Sequence, residues 1–279
     1  MCVKRVAVIN DLSCYGRCSL TVQLPILSAM NYETCPLPSA LYSAHGAFRG
    51  HFSMSMKQQL IGILQHWNKL SLCFDGILCG FLPELEQFSA LHSYFSNQKQ
   101  QGCNILLDPV MGDNGTLYSI TTPEICEGYR ALLPITDFIV PNLTECCALL
   151  EIPYPSIPPT VEKLFSYAEK LCRLGTKAVV ITGVPSYDEN GTLQLQNLCY
   201  QKNGQKELIS VKRVGSDRSG TGDVFSALLF GYLLRGISLS TAVRRSCHFL
   251  SDAISYTTAL NTPSKNGVCF ETFLSELSY

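Results

Sequence analysis

The sequence is poor in charged residues and lacks a long apolar run. Asp, Glu, Lys and Arg make up 15% of the 279 residues, against ~25% in an average globular protein, while a hydrophobic content of 46% argues against disorder. The net charge is -1 and no cluster of Lys and Arg occurs, so we expect neither nucleic acid nor a membrane surface as a partner. The longest largely apolar stretch, Ala227–Phe230 and on past Gly231, is far shorter than the ~20 residues of a membrane span.

Features of a secreted protein are also missing. Residues 1–9 contain Lys4 and Arg5 but only four apolar residues before Asn10, which predicts no signal peptide. Fourteen cysteines are present without a single Cys-x-x-Cys pair, a pattern that favours buried reduced thiols over disulfides or a metal cluster. We therefore expect a cytoplasmic protein.

What the sequence does contain is an alternation of short apolar runs and helical periodicity. Strands are predicted at Val6–Ile9, Gly76–Cys79, Asn104–Leu107, Phe138–Val140 and Ala178–Ile181. Helices are predicted at about Leu20–Met30, Ser55–Trp67, Glu84–Lys99, Pro123–Leu132, Thr144–Leu150, Val161–Leu174, Gly222–Leu234 and Leu239–Thr258. This order predicts an α/β fold with a mostly parallel central sheet between helices, and the length favours a single domain over residues 1–279.

Local signals support some of these boundaries and weaken one. Thr122 before Pro123 predicts a helix N-cap followed by proline at the first helical position. Asn203-Gly204, between two alternating runs, predicts a β-hairpin within residues 193–210. Pro25 lies inside the first predicted helix, so we expect it to kink that helix or to mark its first turn.

A glycine-rich segment leads directly into one predicted helix. It reads Gly-Ser-Asp-Arg-Ser-Gly-Thr-Gly-Asp from Gly215 to Asp223. Two of its glycines, Gly220 and Gly222, allow the backbone to turn tightly and approach a ligand, and the unpaired N–H groups of the first helical turn face the same point. Such a helix start binds phosphate oxygens, and its donors stabilise charge that develops during phosphoryl transfer.

Asp223 has two explanations from the residues alone. A carboxylate repels phosphate, so its presence beside an anion site is explained if it accepts a proton from an attacking hydroxyl group. An acidic residue is equally favourable in the first turn of any helix. The segment is not a P-loop, because Thr221 follows Gly220 where a P-loop has lysine.

Two strand ends carry further oxygen-rich side chains. Asp108 and Asp113 enclose a Pro-Val-Met-Gly turn after one strand, and Asn142 and Glu145 follow the next. Ligands gather at the carboxyl ends of parallel strands, and Mg²⁺ prefers oxygen ligands of this kind. Asn142 and Glu145 also have the spacing of a capping box, which leaves a purely structural explanation open.

In this order, the segments resemble the ribokinase superfamily, in particular its vitamin-kinase branch of pyridoxal kinases and hydroxymethylpyrimidine kinases. The resemblance rests on Asp-Pro-Val-Met-Gly from Asp108, Pro-Asn-Leu-Thr-Glu from Pro141 and Gly-Thr-Gly-Asp from Gly220, and it covers nearly the whole chain. It implies a ribokinase-like three-layer αβα sandwich without a separate lid domain. The family usually forms homodimers, so a homodimer is implied as well.

The resemblance also implies roles for individual residues on the phosphate side. The anion hole would consist of Gly220, Thr221 and Gly222, with Asp223 as the catalytic base. Residues implied to bind Mg²⁺ with ATP are Asp108, Asn142, Glu145 and Thr182. Of these, Asp108 and Glu145 would lie nearest the metal ion, and a requirement for a monovalent cation stays open.

On the acceptor side, the resemblance implies a vitamin ring held by Asp11, Ser43, His45 and Phe81. Aromatic walls suit such a ring, although core packing explains Phe81 equally well. Two positions depart from the family pattern: Gly46 stands where threonine is expected, and Asp11 stands where many pyridoxal kinases have serine. A carboxylate at position 11 would pair with a more cationic ring or with an amine.

The implied reaction is ATP-dependent phosphorylation of the 5'-hydroxymethyl group of a vitamin B6 vitamer, either pyridoxal, pyridoxine or pyridoxamine. Two alternatives stay open. One is a hydroxymethylpyrimidine kinase of thiamine synthesis, in which cysteine is common at the position of Asp223. The other is a non-catalytic sensor that binds a vitamin or a nucleotide, against which Asp223 counts because binding alone needs no base.

Overall fold

The computed structural model describes residues 3–278. Met1, Cys2 and Tyr279 lie outside the described residues, and with them the start of the segment in which we predict no signal peptide. None of the helices in the described part of the chain combines the length and the apolar character needed to cross a bilayer. The thirteen cysteines within residues 3–278 are free thiols.

The described chain alternates strands and helices as predicted. The strands are β1 Arg5–Ser13, β2 Glu33–Tyr42, β3 Ser53–Ser55, β4 Gly76–Cys79, β5 Asn104–Leu107, β6 Gly112–Asp113, β7 Thr116–Leu117, β8 Phe138–Ile139, β9 Ala178–Tyr187, β10 Leu193–Gln201 and β11 Lys206–Lys212. The α-helices are α1 Leu20–Ala29, α2 Lys57–Lys69, α3 Leu85–Gln100, α4 Pro123–Leu132, α5 Leu143–Leu150, α6 Val161–Arg173, α7 Thr221–Leu234 and α8 Leu239–Ala259. Short 3₁₀ turns follow at Leu133–Ile135, Ser264–Asn266 and Glu271–Ser278.

Nine strands form one sheet in the order β11-β10-β9-β8-β5-β4-β1-β2-β3. Neighbouring strands from β9 to β2 pair in parallel, whereas the pairs β9–β10, β10–β11 and β2–β3 are antiparallel. β6 and β7 form a separate small hairpin. The carboxyl ends of β1, β4, β5 and β8 therefore lie side by side at one edge of the sheet.

Two apolar layers cover the sheet because its central strands are buried on both faces. In β1, Ala7 and Ile9 pack into the layer that contains α2 to α6, whereas Val6 and Val8 pack into the layer of α1, α7 and α8. All four side chains are fully buried. This arrangement confirms the predicted three-layer αβα sandwich with a mostly parallel sheet and no separate lid domain.

The structure differs from the prediction mainly near the first helix. β2 was missed because it contains Pro36 and Pro38, and proline is rare inside strands. β3 pairs only with Ala40–Tyr42, so at both prolines one side of β2 has no neighbouring strand whose hydrogen bonds a proline would interrupt. Pro25 lies inside α1 and not in its first turn, and α2 begins at Lys57 because the residues before it form β3.

Candidate active site

Asp223 lies in the first turn of α7, where three groups from the start of the chain hold its carboxylate. One oxygen, Oδ1, accepts hydrogen bonds from Asn10 Nδ2 at 3.1 Å and from Gln23 Nε2 at 3.4 Å. The other, Oδ2, accepts a hydrogen bond from the backbone N–H of Ser19 at 2.7 Å. These contacts fix the orientation of the carboxylate relative to the end of β1 and the start of α1.

The surroundings of Asp223 raise the pKa of its carboxyl group to about 7. Burial is the main cause and the Asp11 carboxylate adds repulsion, while the hydrogen bonds from Ser19 and Asn10 act in the opposite direction. Part of the side chain nevertheless stays accessible to solvent. An accessible carboxylate that titrates near neutral pH is suited to accept a proton from a substrate hydroxyl group.

Backbone donors converge next to this carboxylate. The first hydrogen bond of α7 runs from Val224 N to Gly220 O, at 3.0 Å, so the N–H groups of the three residues before Val224 precede the helical ladder. At Gly222, an added Cβ would meet no atom within 4 Å. The start of α7 is therefore open toward solvent and free to receive an anion.

Gly220 itself is required by the packing of the loop after β1. Its φ of 75° lies in the left-handed region, and a Cβ there would collide with the carbonyl oxygen of Arg17. On the other side of Arg17, a Cβ at Gly267 would lie 2.6 Å from the Arg17 Cβ. The guanidinium of Arg17 also donates to Glu271 Oε1 at 2.5 Å, so the C-terminal segment helps to hold the loop that carries Ser19.

Asp108, Asn142 and Glu145 lie at the neighbouring strand ends. Asn142 caps α5, and the capping box forms: Asn142 Oδ1 accepts from Glu145 N at 3.0 Å, and Glu145 Oε2 accepts from Asn142 N at 2.8 Å. The second oxygen of Glu145 accepts from Met111 N at 3.2 Å. The structural explanation for this pair is thus realised. Thr182 lies beside Asn142 through a parallel backbone bridge.

Asp108 and Glu145 are buried and repel one another. Burial raises the pKa of Asp108 to about 8, with the Asp223 carboxylate as second cause, and burial followed by repulsion from Asp108 raises the pKa of Glu145. A divalent cation would relieve this repulsion, so the donor set fits Mg²⁺. Residues 3–278 do not bring three such ligands together, and a metal here would take most of its ligands from ATP and water.

The acceptor-side residues are divided between two places. Asn10 connects the first of them, because its Oδ1 accepts from the backbone N–H groups of Asp11 at 2.9 Å and Phe81 at 3.0 Å. The ring of Phe81 packs at 6.3 Å from that of Tyr42. Asp11 and Phe81 therefore lie beside Asp223, at the end of β1.

Ser43 and His45 lie in the exposed loop after β2. The hydroxyl of Ser43 accepts from Phe52 N at 2.8 Å, within the same loop. His45 Nε2 lies 2.7 Å from the carbonyl oxygen of Lys265, and its ring is close enough to Asp11 to lower the pKa of that carboxyl group. The structure thus brings His45 near the carboxylates, whereas it leaves the Ser43 hydroxyl engaged elsewhere.

Three residues that contact Asp223 were not singled out from the sequence: Asn10, Ser19 and Gln23. Asn10 could have been found, because it is the first polar residue after a buried strand. Ser19 had the weaker signal of a serine just before a helix. Nothing local marks Gln23, since only the packing of α1 against α7 brings its side chain to Asp223.

The raised pKa values predict that the unliganded protein gains stability as the pH is lowered from about 8 to about 6. Unfolded aspartates titrate near pH 4, whereas folded Asp223 and Asp108 titrate at about 7 and about 8. Between those limits the folded state holds the extra protons, so the free energy of unfolding falls as pH rises, by up to ~1.4 kcal/mol per pH unit and group. Thermal unfolding across this range measures the slope, and Asp108→Asn should flatten it. A melting temperature that climbs with pH would contradict the assignment.

Solved structures and curated relatives match nearly the whole chain. A Bacteroides thetaiotaomicron protein described as a phosphomethylpyrimidine kinase, crystallised with pyridoxal, is 34% identical with a TM-score of 0.93, covering 99% of this chain and 96% of that one. The pyridoxal kinase of Lactobacillus plantarum is 28% identical with a TM-score of 0.89 and a coverage of 99% and 97%. A pyridoxine/pyridoxal/pyridoxamine kinase of Bordetella avium is 28% identical over 253 residues, which are 87% of this chain and 82% of that protein.

Together with the fold and the site, these similarities define a kinase of the ribokinase-like superfamily. The model of the phosphomethylpyrimidine kinase family matches residues 70–268. The chain belongs to that family.

Proposed function

We propose that this kinase transfers the γ-phosphoryl group of ATP to the 5'-hydroxymethyl group of a vitamin B6 vitamer. The observation that carries the proposal is the accessible Asp223 carboxylate, fixed by Asn10 and Ser19 beside the open N-terminus of α7. In this role Asp223 accepts the proton of the acceptor hydroxyl group. The N–H groups at the start of α7, from Thr221 to Asp223, stabilise the charge on the transferred phosphoryl group.

ATP would lie along the strand ends that carry Asp108, Asn142, Glu145 and Thr182. Asp108 and Glu145 would hold the magnesium ion that accompanies ATP, with Asn142 and Thr182 toward the nucleotide. The metal ion, when bound, neutralises charge on the phosphates. Binding it also removes the repulsion that raises the pKa of Asp108, so the two buried carboxylates stay ionised at neutral pH.

The acceptor would lie between Asp11, Phe81 and His45. A buried carboxylate such as Asp11 is suited to a protonated ring nitrogen or an amine, which favours pyridoxine and pyridoxamine over the aldehyde. The kinases from Bordetella avium and Lactobacillus plantarum support a vitamin B6 acceptor by their names. We further propose that residues 1–279 act as one domain and that the enzyme is a cytoplasmic homodimer.

A panel of acceptors tests the proposal. The enzyme is incubated with Mg-ATP and, separately, pyridoxal, pyridoxine, pyridoxamine and hydroxymethylpyrimidine, and the phosphorylated product is quantified. We expect a vitamin B6 vitamer to have the highest kcat/KM. Because the matching family is that of phosphomethylpyrimidine kinases, hydroxymethylpyrimidine is the control, and a higher kcat/KM for it would assign the enzyme to thiamine synthesis. Binding without any product would favour the sensor.

A further inference from the structure

Ser19 lies between two carboxylates and contacts both. Its backbone N–H donates to Asp223 Oδ2 at 2.7 Å, and its hydroxyl donates to Asp11 Oδ1 at 2.5 Å. The residue is buried, with 7% of its surface exposed. One small side chain therefore connects the proposed base with the carboxylate on the acceptor side.

The backbone of Ser19 has a conformation that glycine adopts more easily. Its φ is 53° and its ψ is -135°, outside the regions favoured by residues with a Cβ. The conformation is held from both sides of the residue. Its carbonyl oxygen accepts from Val22 N and Gln23 N, each at 3.0 Å, which starts α1, while its N–H is bound to Asp223. Glycine would make all of these backbone contacts without strain.

The hydroxyl group is what serine adds at this position. It faces the Asp11 carboxylate, whose second oxygen accepts from Ser13 Oγ at 2.8 Å. The two serines thus orient Asp11 and occupy one acceptor position on each oxygen, leaving further lone pairs for a ligand. Strained residues retained at a functional site point to a contact that the site needs.

We propose that Ser19 is a positioning residue that sets Asp11 against the acceptor and thereby aligns the acceptor hydroxyl group with Asp223. This inference rests on the proposed function, and it names the acceptor class more narrowly. The acceptor would carry a hydrogen-bond donor, such as a protonated ring nitrogen or an amine, that Asp11 receives. Ser19 does not touch the phosphates, so it should affect the acceptor and leave ATP unaffected.

The matched variants are Ser19→Gly and Ser19→Ala. Both lose the hydroxyl group and keep the backbone N–H, but only glycine relieves the backbone strain. We expect Ser19→Gly to lower kcat/KM for the best acceptor by about 10- to 100-fold, the effect of losing a hydrogen bond to a charged group. The KM for ATP should stay within about twofold, as expected for an unaffected site. Ser19→Gly should melt no lower than the wild type, whereas Ser19→Ala should show the same acceptor defect and a lower melting temperature.

A double-mutant cycle with Asp11→Ala separates positioning from general disruption. If Ser19 acts through Asp11, adding Ser19→Gly to Asp11→Ala should change kcat/KM by less than about twofold, since the contact is already gone. Asp11→Ser serves as a second background if Asp11→Ala does not fold. An unchanged acceptor kcat/KM in Ser19→Gly, or a full loss in both Asp11 backgrounds, would overturn the inference.

The same cycle is measured on pyridoxine affinity by calorimetry. A wild type that binds pyridoxine without phosphorylating it would overturn the proposed function, while the affinity cycle would still decide the role of Ser19. A wild type that binds no vitamer would overturn both.

Discussion

Asp223→Ala is expected to lower kcat for acceptor phosphorylation by about 10²- to 10⁴-fold, the usual contribution of a general base. The carboxylate is the group held by Asn10 and Ser19 at the start of α7, and alanine leaves the acceptor hydroxyl group without a proton acceptor. Steady-state kinetics with the best vitamer measure the loss. Asp217→Ala is the matched control, because it removes an exposed carboxylate of the same loop that pairs only with Arg213 among the described salt bridges.

The pH profile gives an independent readout of the same role. Since Asp223 must be deprotonated to act and its pKa is raised to about 7, kcat/KM of the wild type should rise with pH and level off above that value. The residual activity of Asp223→Ala should lack this acidic limb. Wild-type activity in the variant would mean that Asp223 is only a favourable residue in a helical turn.

Gly220→Ala is expected to abolish activity and to lower the melting temperature strongly. The alanine Cβ would strike the carbonyl oxygen of Arg17, and φ at this position is 75°, so the substitution combines a backbone clash with conformational strain. Displacing Arg17 also moves Ser19, which donates to Asp223. Thermal unfolding and steady-state kinetics follow the two effects separately.

Gly222→Ala provides the contrast within the same turn. Nothing lies within 4 Å of a Cβ at this position and its φ is not positive, so the fold should keep its stability or gain up to ~1 kcal/mol from the loss of a helical glycine. Activity should still fall, with a higher KM for ATP, because the added methyl group occupies the space proposed for phosphate. Equal stability losses in both variants would argue against a special requirement at Gly220, and full activity in Gly222→Ala would place the phosphates elsewhere.

The sheet was predictable because its strands are short, apolar and buried on both faces. Gly76–Cys79 and Asn104–Leu107 have the predicted bounds, and the Thr122 cap with proline after it places the start of α4 correctly. β2 escaped prediction for the opposite reason. Its prolines argue against a strand, and only its position next to the sheet edge makes them acceptable.

For the site, the sequence indicates which residues are chemically suited but not which of them meet. Asp108, Asn142, Glu145 and Asp223 could be selected because each follows a strand or begins a helix. The contacts that orient Asp223 join residues about 200 positions apart, such as Gln23 and Asp223. No local pattern encodes such a pairing, because it depends on α1 and α7 packing on the same face of the sheet.

The hold of Gly220 and Gly267 on Arg17 also matters while the chain is being synthesised. Asn10 leaves the ribosome 213 residues before Asp223, a delay of about 10–40 s at ordinary elongation rates, and Gly267 follows later still. Throughout that interval Val6 and Val8 lack the helix that covers them in the finished protein. A stalled or prematurely terminated chain is therefore an inactive, aggregation-prone client for chaperones and never a partial enzyme.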